Sequence, residues 1–283
     1  MKKIIPYITF FAWASAYSLG LDTVAHVFSS SKSSTPVSFL NRDNREKILS
    51  EYQDLFKQQD AHRYKQEFEK ITADIQVAQE RLKKTSNTYD KELVAKEISF
   101  LNQLLQIAVD RDAVMQQLHA IYDETKKIIE GVSSENYFSK FKFEERASYS
   151  FEDLTQLNQK ISDAKNRQSE LKSYAQKYQG DIDRYGKEID QLQSEIKEKL
   201  KQQKNHSQQP QSSLLKGDII DLQSRLLEQR KDLTFLKLKE AEGRLSMVSL
   251  QLAIIKNQLE ILERDYLRVK RATIIPIKYV KKS

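Results

Sequence analysis

The stretch LTQLNQKISDAKNRQSELKSYAQKYQGDIDRYGKEIDQLQSEI, residues 154–196, decides the fold. Within it Leu154, Leu157, Ile161, Ala164, Gln168, Leu171, Ala175, Tyr178, Ile182, Tyr185, Ile189, Leu192 and Ile196 follow one another at alternating intervals of three and four residues. That alternation averages 3.5 residues, close to one α-helical turn, so the whole set falls on a single stripe, whereas a strand needs a period of two. Gln168 is its one polar member. Six heptads of this kind are a coiled-coil seam and predict left-handed supercoiling. Gly180 and Gly186 lie inside the stretch and weaken the helix by ~1 kcal/mol each relative to alanine without ending it.

The same grammar extends outward. From Asn41 to Ala272 the chain holds one proline, Pro210. A proline in a helix interior removes a hydrogen bond and clashes with the preceding turn, at ~3 kcal/mol, so its avoidance leaves long helices possible. The expected class is all-α: long antiparallel helices forming coiled coils or an extended helical bundle.

A first helix is expected over 41–84, with Tyr64, Phe68, Ile71, Ile75, Ala78 and Leu82 on one stripe. Thr85-Ser86-Asn87 breaks it. A second helix, near 90–131, carries Val94, Ile98, Leu101, Leu105 and Ala108, changes phase around Asp110 to Asp112, and continues through Met115, Leu118, Tyr122 and Ile129 to Gly131. So short a turn makes the pair an antiparallel hairpin, 41–131. Over 132–150 the periodicity lapses and Tyr137, Phe138, Phe141, Phe143 and Tyr149 cluster, either as a docking patch or as a loop folded back on the end of the bundle.

Ser150 and Asp153 then read as a capping box opening the third helix. A polar turn at 205–213 separates it from a fourth, ending near Ala272, so that 151–272 is a second hairpin. Leu238, Ala241, Leu245, Val248, Leu252, Ile255, Leu259, Leu262, Tyr266 and Val269 form the seam of that last helix, and Met247, Leu250, Ile254 and Ile261 a second stripe. A helix apolar on two stripes must touch two partners, which makes it the core of a bundle.

Residues 1–16 have the parts of a secretory signal: Lys2 and Lys3, an apolar run from Ile4 to Trp13, then Ala14-Ser15-Ala16 as an A-x-A cleavage site. The alternative is an anchor left uncut to Leu21, the first 18 uncharged residues after Lys3 being marginally long enough to span. Residues 22–40 are a linker, serine-rich from Ser29 to Pro36. Export permits disulfides, yet the chain has no cysteine, so packing alone must stabilise it.

Function classes are narrowed by what charges and side chains do not do. Lys plus Arg number 47 against 40 Asp plus Glu, and loss of Lys2 and Lys3 would leave 45 against 40. Acids and bases interleave along the helices, which does not make the basic stripe with stacking aromatics that nucleic acid needs. His26, His62, His119 and His206 are scattered with no H-x-x-x-H spacing, so no metal site is expected. Acid pairs such as Glu144-Glu145 read as solvated i,i+4 partners, the glycines stand singly, and no cofactor, catalytic residue or small-molecule substrate is expected. One local imbalance remains: Arg264, Arg268, Lys270, Arg271, Lys278, Lys281 and Lys282, the last three in a basic tail over 273–283 beside Ile274-Ile275-Pro276-Ile277. These seven are the candidate membrane-proximal residues, the plain alternative being a helix C-terminus whose dipole favours cations.

Export signal, long helices, then Ala147-Ser148-Tyr149-Ser150-Phe151-Glu152-Asp153-Leu154 opening a heptad helix, and a leucine-rich last helix reading Leu233-Thr-Phe-Leu-Lys-Leu-Lys-Glu-Ala-Glu-Gly-Arg-Leu, resemble one known arrangement. It is similar to the N-terminal periplasmic helical region of large bacterial small-conductance-type mechanosensitive channels, over roughly Asn41 to Arg271. The resemblance implies an exported, non-enzymatic spacer or coupling element near the membrane. Pore helices and a cytoplasmic β-rich domain are not in this sequence, so conduction is not attributed to it. A second expectation is a stand-alone periplasmic chaperone or envelope scaffold, with protein partners, or a second copy, on its seams. An export-machine adaptor would need β-rich sequence beside its hairpin, and only Thr273 to Val280 offers any.

Overall fold

A computed structural model describes residues 42–58, 61–132, 137–207 and 214–273. They form five α-helices: α1 (Arg42–Gln58), α2 (Ala61–Lys84), α3 (Thr88–Val132), α4 (Phe151–Ser207) and α5 (Leu214–Ala272), with one 3-10 turn at Ser139–Phe141. The all-α expectation holds, and among the described residues the only non-helical ladder is an isolated bridge between Tyr149 and Thr273. Residues 1–41, on which the export signal and linker fall, and 274–283 lie outside the described residues.

Three helix boundaries show a local cause. At the α2–α3 turn Thr85 turns back on α2, its amide and hydroxyl both donating to the Arg81 carbonyl, and Asn87 Oδ1 accepts the Tyr89 amide at 2.9 Å, which caps α3. The capping box at α4 is fully made. The Ser150 amide donates to Asp153 Oδ2 at 2.8 Å and the Asp153 amide donates to Ser150 Oγ at 3.1 Å. The Ser150 hydroxyl also donates to that carboxylate, at 2.9 Å, and the bonds from the Ser150 amide and hydroxyl hold the Asp153 pKa below its ordinary value.

Interhelical bonds give the topology. Arg81 meets Glu97 at 3.0 Å, so α2 and α3 are antiparallel. Lys165 with Glu263, Glu188 with Thr234 and Gln203 with Asp221 make α4 and α5 antiparallel along most of their length. Between α3 and α5 the numbers rise together, from Gln103 with Arg230 to Ile121 beside Gly243, so that pair, one helix from each hairpin, is parallel. The 57-residue α4 supplies the return path that a parallel pair requires.

α5 is the element that both α3 and α4 pack against, and this is what its two apolar stripes are for. One core cluster unites Ile71, Ile75, Leu101, Leu104, Leu118, Leu226 and Leu236 from α2, α3 and α5; another unites Tyr149, Leu157, Ile161, Leu259, Leu262 and Val269 from the loop, α4 and α5. Every member of the 154–196 seam is buried or half-buried. Leu171 is buried at 1% exposure, while Ala175 to Ile189 are only half-covered because α5 alone faces them.

Three details differ from the periodicity. Where one helix was expected over 41–84 there are two, α1 and α2, with residues 59 and 60 outside the described residues. Phe68, assigned to its seam, is 41% exposed. In α3 there is no phase break: the buried stripe runs Leu101, Leu104, Ile107, Arg111, Val114, Leu118, Ile121, Thr125 and Ile129. Arg111 occupies a core position, which made the apolar pattern look interrupted. Its guanidinium donates to Gln229 Oε1 at 2.5 Å and lies 3.9 Å from Glu67, whose other oxygen meets Arg225 at 3.3 Å, joining α2, α3 and α5.

Candidate functional site

The end of the bundle formed by the start of α4 and the last turns of α5 gathers the sequence-predicted basic residues and the aromatic loop. The loop returns to α5 because the Asp265 carboxylate, 8% exposed, accepts the Phe143 amide at 2.7 Å. Arg268 holds the same strand from the other side. It donates to the Phe143 carbonyl at 2.8 Å and to Glu145 at 2.6 Å, and lies 3.1 Å from Asp265. Tyr149 closes the arrangement: its ring is buried, its hydroxyl donates to the Glu144 carbonyl and accepts the Arg146 amide, and its own amide donates to the Ala272 carbonyl at 3.3 Å.

Of the two readings of the aromatic segment, folding back describes Phe143 and Tyr149, which join the core of this end. Tyr137, Phe138 and Phe141 instead form a half-buried ring cluster of their own, with the Lys140 ammonium 3.7 Å over Tyr137. Arg146 bridges Glu144 at 2.6 Å and Asp153 at 3.6 Å, and the bond to Glu144 raises its pKa.

The seven candidate basic residues separate into three groups. Arg268 is half-buried and structural, since its guanidinium clamps the loop. Arg264, Lys270 and Arg271 are exposed on the last turns of α5. Lys278, Lys281 and Lys282 lie outside the described residues.

One residue of this end escaped sequence reasoning. Leu267 is 56% exposed, three residues after Arg264 and four before Arg271, so a leucine stands between two arginines on one solvent-facing stripe. Phe151, 54% exposed at the first turn of α4, sits at the same end. The available signal was that Leu267 falls between the seam positions Tyr266 and Val269 and belongs to neither stripe.

Elsewhere, an open groove of about 370 Å³ lies between the end of α3, α4 and α5, floored by Ile128, Leu171, Ile254 and Ile255 and rimmed by Lys127 and Arg167. Among the described residues no group of three or more His, Asp or Glu side chains stands together as a metal site. No described helix is long and apolar enough to cross a membrane.

The fold and site together define a helical bundle with a clamped, basic, partly apolar end. No protein-family profile, curated protein or solved structure matches this chain.

Proposed function

We propose that the chain is an exported, non-enzymatic helical strut whose α4/α5 end rests on an anionic membrane surface, a spacer or coupling element like the periplasmic channel region its sequence resembles. The observation that carries this reading is the exposed Arg264–Leu267–Arg271 stripe, with Phe151 exposed at the same end of the bundle. Amphipathic surfaces of this composition bind in the headgroup layer, where the apolar side chain enters the acyl boundary and each cation contributes about 1 kcal/mol. The rigidity a strut needs comes from α5, 59 residues or ~88 Å at 1.5 Å per residue, paired with α4 along most of its length and with α3 beside it around Arg230 to Gly243. Because Asp265 and Arg268 tie the loop to its last turns, a force on this end reaches α4 and α5 together.

Cosedimentation of the full chain with vesicles of anionic lipid tests the proposal against R264E/L267S/R271E. Salt-sensitive binding by the parent and its loss in the triple variant support it. Equal binding, or none by either form, refutes it. The alternative, a chaperone or scaffold of the envelope, is favoured by the apolar groove beside α3; binding to a client protein by the triple variant, with no vesicle binding by the parent, would select it.

A further inference from the structure

We infer that α1 is a releasable strap whose anchor, the one buried side chain among those described on it, is Tyr52, seated in a notch that Gly243 opens in α5. Of the α1 side chains described, Tyr52 alone is buried, with Leu55 and Phe56 half-buried beside it. Its ring passes over α3 and rests against α5 at Gly243. A Cβ there would stand 3.1 Å from Tyr52 Cζ, would overlap the hydroxyl outright, and would press to 3.3 Å on Ile121. Glycine is therefore required by a side chain and not by backbone conformation, since no described glycine has a positive φ. Any other residue at 243 closes the notch.

Two further contacts of α1 lie toward solvent. Phe56 stacks on His119 at a centroid separation of 3.9 Å, and Gln53 Nε2 donates to the Tyr122 hydroxyl at 3.1 Å. The seat itself is imperfect: Tyr52 Oη is buried and finds no hydrogen-bond partner among the described residues, and burial with Glu242 nearby raises its pKa. A buried hydroxyl without a partner penalises the closed state, because in the open state water satisfies it. Elements with few buried side chains open locally at lower free energy than the core they cover. α1 is built that way, whereas α3 and α5 share a continuous stripe of buried leucines and isoleucines. Opening uncovers Ile121 and Gly243.

Hydrogen exchange on the full chain, resolved by segment, tests the strap with two variants. In the parent, amides of 46–57 should exchange by an opening that leaves α3 and α5 protected. Gly243→Ala should expel Tyr52 and accelerate exchange in α1 by roughly 10- to 100-fold, the range of overpacking effects, with α4 and the α5 core unchanged. Tyr52→Phe should slow α1 exchange by roughly tenfold, since it keeps the ring and removes the orphaned hydroxyl. Loss of protection in all helices of Gly243→Ala would overturn the inference, because α1 would then belong to one cooperative unit with α5. So would unchanged α1 exchange in that variant, or unchanged or faster α1 exchange in Tyr52→Phe.

Discussion

Replacing Asp265 separates its two roles. Its Oδ2 accepts the Phe143 amide at 2.7 Å and its Oδ1 faces Arg268 at 3.1 Å, with its side chain 12% and that of Arg268 32% exposed. Asp265→Ala removes both. A hydrogen bond to a charged group is worth ~1.5–3 kcal/mol, and the stranded Phe143 amide loses its one acceptor. Asp265→Asn keeps an oxygen for that amide and loses only the ion pair, which a half-exposed arginine with other partners in Glu145 and the Phe143 carbonyl limits to ~0–1 kcal/mol. Asp265→Ala should therefore be ~1–2 kcal/mol less stable than Asp265→Asn. Urea unfolding followed by circular dichroism gives both values from midpoints at constant m, and exchange of the Phe143 amide locates the loss. Equal destabilisation by the two variants would refute the clamp, because the amide bond would then contribute nothing.

Other outcomes follow from the same packing. Leu250, 1% exposed and on the second stripe of α5, should not tolerate Leu250→Asp: an unpaired buried charge costs several kcal/mol, whereas Glu260→Lys on the exposed face should be near neutral in thermal melts. Gly180→Ala and Gly186→Ala meet nothing within 4 Å, so each should raise stability by ~0.5–1 kcal/mol through helix propensity. Asp153 has a folded pKa below its unfolded value, so its capping contribution is complete above the ordinary 3.8 and is lost as pH falls through the lowered folded value; Asp153→Asn should flatten that part of the acid unfolding curve.

How much the sequence disclosed follows from which interactions are periodic. The 154–196 stripe was legible because each member meets one partner helix at a regular interval, and the capping box because both its bonds are local. Arg111 was not, since a charged residue in the core depends on Glu67 and Gln229, 44 residues before it and 118 after it in the chain. That α3 packs against α5 was hidden for a related reason: apolar stripes do not name the helix that fills them. Arg268 was read with its basic neighbours and is structural, a role set by Asp265 and a loop more than a hundred residues earlier. Leu267 stood off both seams in plain view, but exposure of a leucine is decided by what does not cover it.

Because the chain has no cysteine, a single one can carry a polarity-sensitive fluorophore without competing sites. With the label on Leu267→Cys, the account predicts a blue-shifted, brighter emission on adding anionic vesicles, reversed by salt. The same label on Ser194→Cys, exposed on α4 and ~65 Å from its start, should not respond. A label at 267 that ignores the vesicles, or one at 194 that responds equally, would contradict a bundle that meets the membrane by its α4/α5 end.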